Sequence, residues 1–365
     1  MGGAGDYHYR LVSTDAGPPH PVHLADVFDA ACDRFADRPL VAFGERRLTY
    51  AQVRREAAAL AAALADLGTT PGARVAVNLP NWPEWIVAAL ATAYLGGTLV
   101  PVNPGLGFHE LKYQLRHAEA SVAITAEAWD GRDYREMFEA LGPELPDLRY
   151  VVTVGPQEVW YDERTFQYED LVARGLRLPP PAAARDPQAH PLAILYTSGT
   201  MGKPKGVRLS HRALVGTAVL GGERLGTGPE DVALVAVPCF TVFGASIVIG
   251  TLAAGAAAVL ADRFVAPDII ALMERERVSV LHGVPTMFQL LVREPGFDRA
   301  HLPRLRTGIV AGSPVSPDLV TRVREVCDVQ IAYGLTETGP TVTMTRFEDS
   351  PALRTETVGR PLPGV

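Results

Sequence analysis

Apolar positions along the chain fall into short runs separated by stretches of helical period, and from residue 74 onward their order predicts alternating strands and helices. Before that, residues 23–68 read as a helix, a short hairpin over 40–50 and an Ala-rich helix ending at Gly68. A buried strand is predicted over 74–79. Asn81, with Pro83 just inside, then caps a helix that runs to Leu95 and stops at Gly96 and Gly97. A strand over 98–102, a helix over 109–118 and a strand over 121–125 follow. Residues 128–190 are richer in charge and proline, end in LPPPAAARDP, and read as a surface excursion. Alternation resumes with strands over 233–237, 257–261, 279–282, 308–311 and 329–333, and helices over 244–253, 267–277, 285–292 and 317–326. This order implies an α/β fold of mainly parallel sheets with helices on both faces. Ligands of such sheets gather at the carboxyl ends of the strands.

One run, residues 242–261, is almost wholly apolar and nominally long enough to cross a bilayer. Gly250, Gly255 and many alanines make it weakly hydrophobic, and Gly255 reads as the break between a helix and a strand. No membrane span is therefore expected. With 365 residues, 47% apolar, the chain can bury a large core and hold more than one packed unit, here about 1–190 and 191–365. A net charge of −7 with both signs scattered provides no basic stripe for nucleic acid. Cys32, Cys239 and Cys327 are odd in number and widely spaced, which suits buried thiols rather than disulfides or metal ligands. The N-terminus has no secretion signal, so the cytoplasm is the expected compartment. None of this fixes an oligomeric state.

Lysine changes the picture. Arginine supplies nearly all the positive charge, and lysine occurs only at Lys112, Lys203 and Lys205. Two of the three fall in the segment 196–207, where Gly199, Gly202 and Gly206 stand among Thr197, Ser198 and Thr200. Glycines let backbone amides approach an anion, hydroxyls add donors, and lysine brings a compact charge to phosphate. The pattern is not the GxxxxGK[ST] loop, because Gly206 follows Lys205 and the next helix starts only near Ser210.

The string YTSGTMGKPKGV resembles the phosphate-binding loop of the adenylate-forming superfamily, which includes acyl-CoA and aryl-CoA ligases. PCFTVFG at 238–244 is similar to that family's acyl-site segment, AGSPVSP at 311–317 to its adenine segment, and YGLTET at 333–338 to its nucleotide and magnesium segment. VGRPLPG at 358–364 resembles the stretch near the end of its large domain. The resemblance covers nearly the whole chain. It implies two doubly wound subdomains plus a small β subdomain, forming the large N-terminal domain of such an enzyme.

Carried over, it implies that Thr197, Ser198, Gly199, Thr200, Gly202 and Lys205 hold the phosphates. Gly312, Ser313 and Pro314 line the adenine with Tyr333 and Gly334, Thr336 bonds the α-phosphate, and Glu337 holds Mg2+. Thr200, Lys205, Thr336 and Glu337 are the expected catalytic set, and Phe240, Thr241, His282, Val284 and Gly334 the expected acyl-site residues. The implied reaction uses ATP to form acyl-AMP from a hydrophobic carboxylic acid and then passes the acyl group to CoA. Two positions depart from the family: Met201 replaces a small hydroxyl residue, and Thr241 stands where CoA ligases commonly carry a gating histidine. They raise an alternative, a ligase with weak or absent adenylation that takes a preformed acyl-adenylate. Nothing after Val365 matches the family's small C-terminal domain with its catalytic lysine. The chain is accordingly expected to be part of a longer protein, to bind nucleotide, and to turn over poorly alone.

Overall fold

The computed structural model describes residues 23–156, 163–181, 186, 188–197 and 203–364. Among them, two large sheets carry the fold. The first has seven strands in the spatial order Lys205–Leu209, Ala193–Thr197, Thr98–Pro101, Arg74–Asn78, Val122–Ala126, Tyr150–Val154 and Thr165–Gln167. All neighbours pair in parallel except the first two, which form an antiparallel hairpin. The second has nine, in the order Arg360–Pro361, Gly339–Met344, Asp328–Leu335, Thr307–Val310, Val280–Leu281, Val232–Val235, Ala257–Leu260, Pro39–Phe43 and Arg46–Thr49. Its six central strands are parallel, as the alternating pattern requires.

Several boundaries differ from the expected ones, each for a physical reason. Residues 128–190 are no mere surface excursion, because Tyr150–Val154 and Thr165–Gln167 complete the first sheet. Their strands are short and set among charged residues, which masks the pattern. The sheets also do not divide the chain at residue 190. The hairpin after 190 pairs with Thr98–Pro101 of the first sheet, and Pro39–Phe43 near the start pairs with Ala257–Leu260 of the second. Antiparallel strands Gly339–Met344 and Arg360–Pro361 extend the edge of the nine-stranded sheet.

Helix Pro83–Tyr94 is buried at every residue and packs against strands of both sheets. A helix apolar all round is what a position between two sheets demands. Its cap is not Asn81: Trp82 occupies that position and makes no side-chain cap bond. Asn81 is used across the interface instead. Its amide donates to the carbonyls of Val235, Val237 and Ala261, each at 3.1 Å, and its oxygen accepts from Cys239 N at 2.8 Å. One buried side chain thus ties the start of helix Pro83–Tyr94 to the strand ends of the second sheet.

The apolar run 242–261 resolves into helix Val242–Ala253 and strand Ala257–Leu260, separated by Gly255 at φ +75°. Eleven of the twelve helix residues are buried against neighbouring elements, which accounts for its composition. Among the described residues, no helix is long and apolar enough to cross a membrane. The three cysteines are free and buried, and burial raises each thiol pKa, that of Cys32 to about 12.

Candidate nucleotide and acyl site

Four adjacent parallel strands of the second sheet deliver their expected residues at one edge. Phe240 and Thr241 follow Val232–Val235; His282 and Val284 follow Val280–Leu281; Gly312, Ser313 and Pro314 follow Thr307–Val310; Tyr333 and Gly334 end Asp328–Leu335. The fold therefore gathers segments almost a hundred residues apart at the carboxyl ends of its strands, where neighbouring strands lie about 4.8 Å apart, as a ligand site in an open parallel sheet requires. Two contacts tighten the group. The Phe243 and His282 rings meet edge to face with centroids 6.5 Å apart, and a Cβ on Gly312, whose φ is +93°, would stand 3.1 Å from Val284 Cγ1.

The surfaces differ across the group. Tyr333 is 45% exposed, and Gly312, Ser313 and Pro314 are exposed, so this end is open to a planar ligand. Phe240, Thr241 and Val284 are half-buried and His282 is buried. Burial lowers the His282 pKa to about 4, and its Nδ1 has no hydrogen-bond partner among the described residues. That part of the site is apolar and uncharged at neutral pH.

Thr241 has a fixed role. Its Oγ1 accepts from Gly244 N at 3.0 Å and donates to Pro238 O at 2.8 Å, capping helix Val242–Ala253. The hydroxyl is therefore committed to the backbone of its own turn.

The first sheet contributes its edge hairpin. Thr197 lies opposite Lys205 in the antiparallel register, and strand Lys205–Leu209 lies against the 3-10 turn Thr336–Thr338. The two expected cationic and anionic elements are thus neighbours although some 130 residues separate them (at about 3.3 Å per residue, far beyond local reach). Lys205 and Glu337 are both exposed, and neither forms an ion pair among the described residues. Thr336 is half-buried. Thr338 Oγ1 accepts from Leu335 N at 3.1 Å and fixes the turn. Gly339, at φ +94°, ends it where a Cβ would come within 2.9 Å of Ala213 O. Ser198, Gly199, Thr200, Met201 and Gly202 lie outside the described residues.

Sequence reasoning passed over the residues beneath the hairpin. Tyr113 and His117, one helical turn apart on Phe108–His117, meet Tyr196, Lys203 and Pro204. Their i, i+4 spacing places them on one helix face but does not single them out. Ser210 does begin the next helical segment, its Oγ accepting from Ala213 N at 3.1 Å.

Comparison with known proteins agrees with this arrangement. YngI of Bacillus subtilis (strain 168) is 32% identical over 363 residues, covering 93% of this chain and 66% of that protein. A Rhodococcus jostii (strain RHA1) enzyme, 3-[(3aS,4S,7aS)-7a-methyl-1,5-dioxo-octahydro-1H-inden-4-yl]propanoyl:CoA ligase, is 32% identical over 359 residues, 94% of this chain and 68% of its own. The crystal structure of ATP-bound MatB from Rhodopseudomonas palustris superposes with a TM-score of 0.79 at 26% identity, covering 93% of this chain and 65% of MatB. The chain spans about two thirds of the length of these relatives. The sequence profile of the AMP-binding enzymes matches residues 28–365. A match of that extent, on a fold that puts the matched segments at one sheet edge, identifies the chain as a member of the AMP-binding enzyme family.

Proposed function

We propose that this chain forms the large nucleotide-binding part of an acyl-CoA ligase, which joins a hydrophobic carboxylic acid to AMP and then passes the acyl group to CoA. The observation that carries this reading is the placement of Lys205 beside the Thr336–Thr338 turn that bears Glu337, both exposed and neither ion-paired among the described residues, next to four strand ends. In the first half-reaction a carboxylate oxygen bonds to the α-phosphorus of ATP as the bond to the bridging oxygen breaks and pyrophosphate leaves. Lys205 stabilises the charge on the departing phosphates, and Thr336 hydrogen-bonds the α-phosphate. Ser198, Gly199, Thr200 and Gly202 join Lys205 and Thr197 in this role by family resemblance. Gly312, Ser313 and Pro314 border the adenine, and the exposed ring of Tyr333 offers it a stacking face. In the second half-reaction the CoA sulfur attacks the acyl carbon, AMP leaves, and the thiol proton passes to solvent.

Magnesium would neutralise phosphate charge. Among the described residues no cluster of three or more His, Cys, Asp or Glu could hold a metal, so Glu337 would be a single protein ligand beside phosphate oxygens and water. That donor set suits magnesium carried in with ATP. The neutral His282 together with Phe240, Phe243 and Val284 favours an uncharged, largely hydrocarbon acyl group; the propanoyl group named for the Rhodococcus relative is likewise uncharged. Three buried thiols suit a reducing compartment such as the cytoplasm.

The commitment of Thr241 to a helix cap favours a second reading, in which no side chain at 241 swings into the acyl site and adenylation is weak. Acid-dependent exchange between ATP and pyrophosphate, run on the full-length protein beside thioester formation from synthetic acyl-AMP, separates the two. Exchange with some acid supports the complete ligase. Thioester formation with no exchange for any acid supports transfer only, and neither activity overturns both.

A further inference from the structure

The hairpin that carries Lys205 is fastened at both legs to one helix, Phe108–His117. On the incoming leg, the Tyr196 hydroxyl lies 3.1 Å from the carbonyl of Gln114 and 2.8 Å from Nδ1 of His117. A hydroxyl has one proton, and a carbonyl can only accept. That proton therefore goes to Gln114 O, and His117 Nδ1 must be the donor to Tyr196. Burial, and then the neighbouring Tyr113, push the Tyr196 phenol pKa up, so the hydroxyl keeps its proton. On the outgoing leg, the Tyr113 hydroxyl donates to Pro204 O at 3.1 Å, and the Lys203 ammonium sits 5.5 Å from the centre of the Tyr113 ring. The Tyr113 and His117 rings stack on each other at 5.4 Å, which links the two fastenings.

We propose that Tyr113 and His117 are positioning residues for the nucleotide phosphates, and that Lys203 serves this clamp while Lys205 alone of the pair faces the ligand. The inference rests on the nucleotide reading given above. The register explains why it has leverage: Thr197 and Lys205 are the last paired residues before the loop, and both fastenings lie within two residues of them. Any slack at Tyr196 or Pro204 becomes displacement of the Lys205 charge relative to the Thr336–Thr338 turn. The attraction of a cation to an aromatic face commits the Lys203 ammonium to the Tyr113 ring. The two rare lysines, alike in sequence, are thus unlike in place.

The test uses the full-length protein and measures ATP binding by calorimetry beside KM for ATP, KM for the acid, and kcat. Tyr113→Phe removes the bond to Pro204 and keeps the ring. His117→Phe removes the donor to Tyr196, and His117→Asn restores a donor close to the Nδ1 position. Tyr113→Phe and His117→Phe should each weaken ATP binding about two- to tenfold, the range for one lost hydrogen bond. Neither should change KM for the acid or the affinity for an acyl-sulfamoyl adenosine, which lacks the β- and γ-phosphates. His117→Asn should recover most of the loss. Lys203→Gln should cost far less than Lys205→Gln. ATP affinity unchanged in both Phe variants, or weakened equally for ATP and for the adenylate analogue, would overturn the clamp. An unmodified protein that binds no ATP would instead overturn the nucleotide reading, and the clamp with it.

Discussion

At the scale of single residues, charge and protonation are what the fold controls. Lys205 is exposed and forms no ion pair among the described residues, so replacing it by Gln removes charge without opening the core. Acid-dependent pyrophosphate exchange should fall about a hundredfold, the loss typical of deleting one group aimed at developing charge, while the thermal midpoint stays put. Exchange within a few fold of the unmodified protein would refute its role. Two histidines behave in the opposite way. His211 accepts from Leu24 N at 3.1 Å and stacks on His23 at 4.0 Å, and burial followed by His23 lowers its pKa to about 3. His282 lies at about 4 through burial. Both are neutral in the fold and titrate near their ordinary 6.5 when unfolded. Between those limits the unfolded chain binds more protons, so stability is full above about pH 6.5 and is lost as pH falls. Each contributes a slope approaching about 1.4 kcal/mol per pH unit. Urea midpoints measured from pH 7 to 4.5 should decline, and His211→Gln should flatten the decline; an equal decline in both proteins contradicts the assignment.

At the scale of elements, caps and cross-ties can be separated by substitution. Thr241→Ala should destabilise the protein by about 1 kcal/mol through loss of the cap on Val242–Ala253, whereas Thr241→Ser should retain most of it. Equal thermal midpoints for the Ala and Ser variants would show that the cap is unimportant. Asn81→Ala should cost more, roughly 2–4 kcal/mol, because it leaves the buried Cys239 N–H and three carbonyls without that partner. A midpoint in denaturant within error of the unmodified protein would reject that account. Asn81 also shows where the sequence is silent. Its place before Pro83 looks like a helix start, and nothing local reveals that its partners lie more than 150 residues away. Most of the parallel strands and their helices were legible because burial on both faces leaves continuous apolar runs. The strands Tyr150–Val154 and Lys205–Leu209 were not, since one is set among charges and the other is a half-exposed edge. Of the site, the strand-end residues were readable through motif, while the Tyr113 and His117 support was hidden because its spacing marks any helix face.

At the scale of the whole molecule, the exchange of strands across the middle of the chain means that neither half owns a finished sheet. Fragments 1–190 and 191–365, made separately, should each fail to fold, because the first lacks its edge hairpin and the second lacks Pro39–Phe43 and the helix Leu24–Phe35. Either fragment showing slow amide exchange in its sheet would disprove this. The same pairing has a consequence in time. The strand Pro39–Phe43 leaves the ribosome early, yet its partner Ala257–Leu260 follows about two hundred residues later, roughly ten to forty seconds at ordinary rates of synthesis. For that interval its apolar edge has no mate, and the nascent chain must be sheltered by chaperones or by slow, reversible contacts until translation catches up.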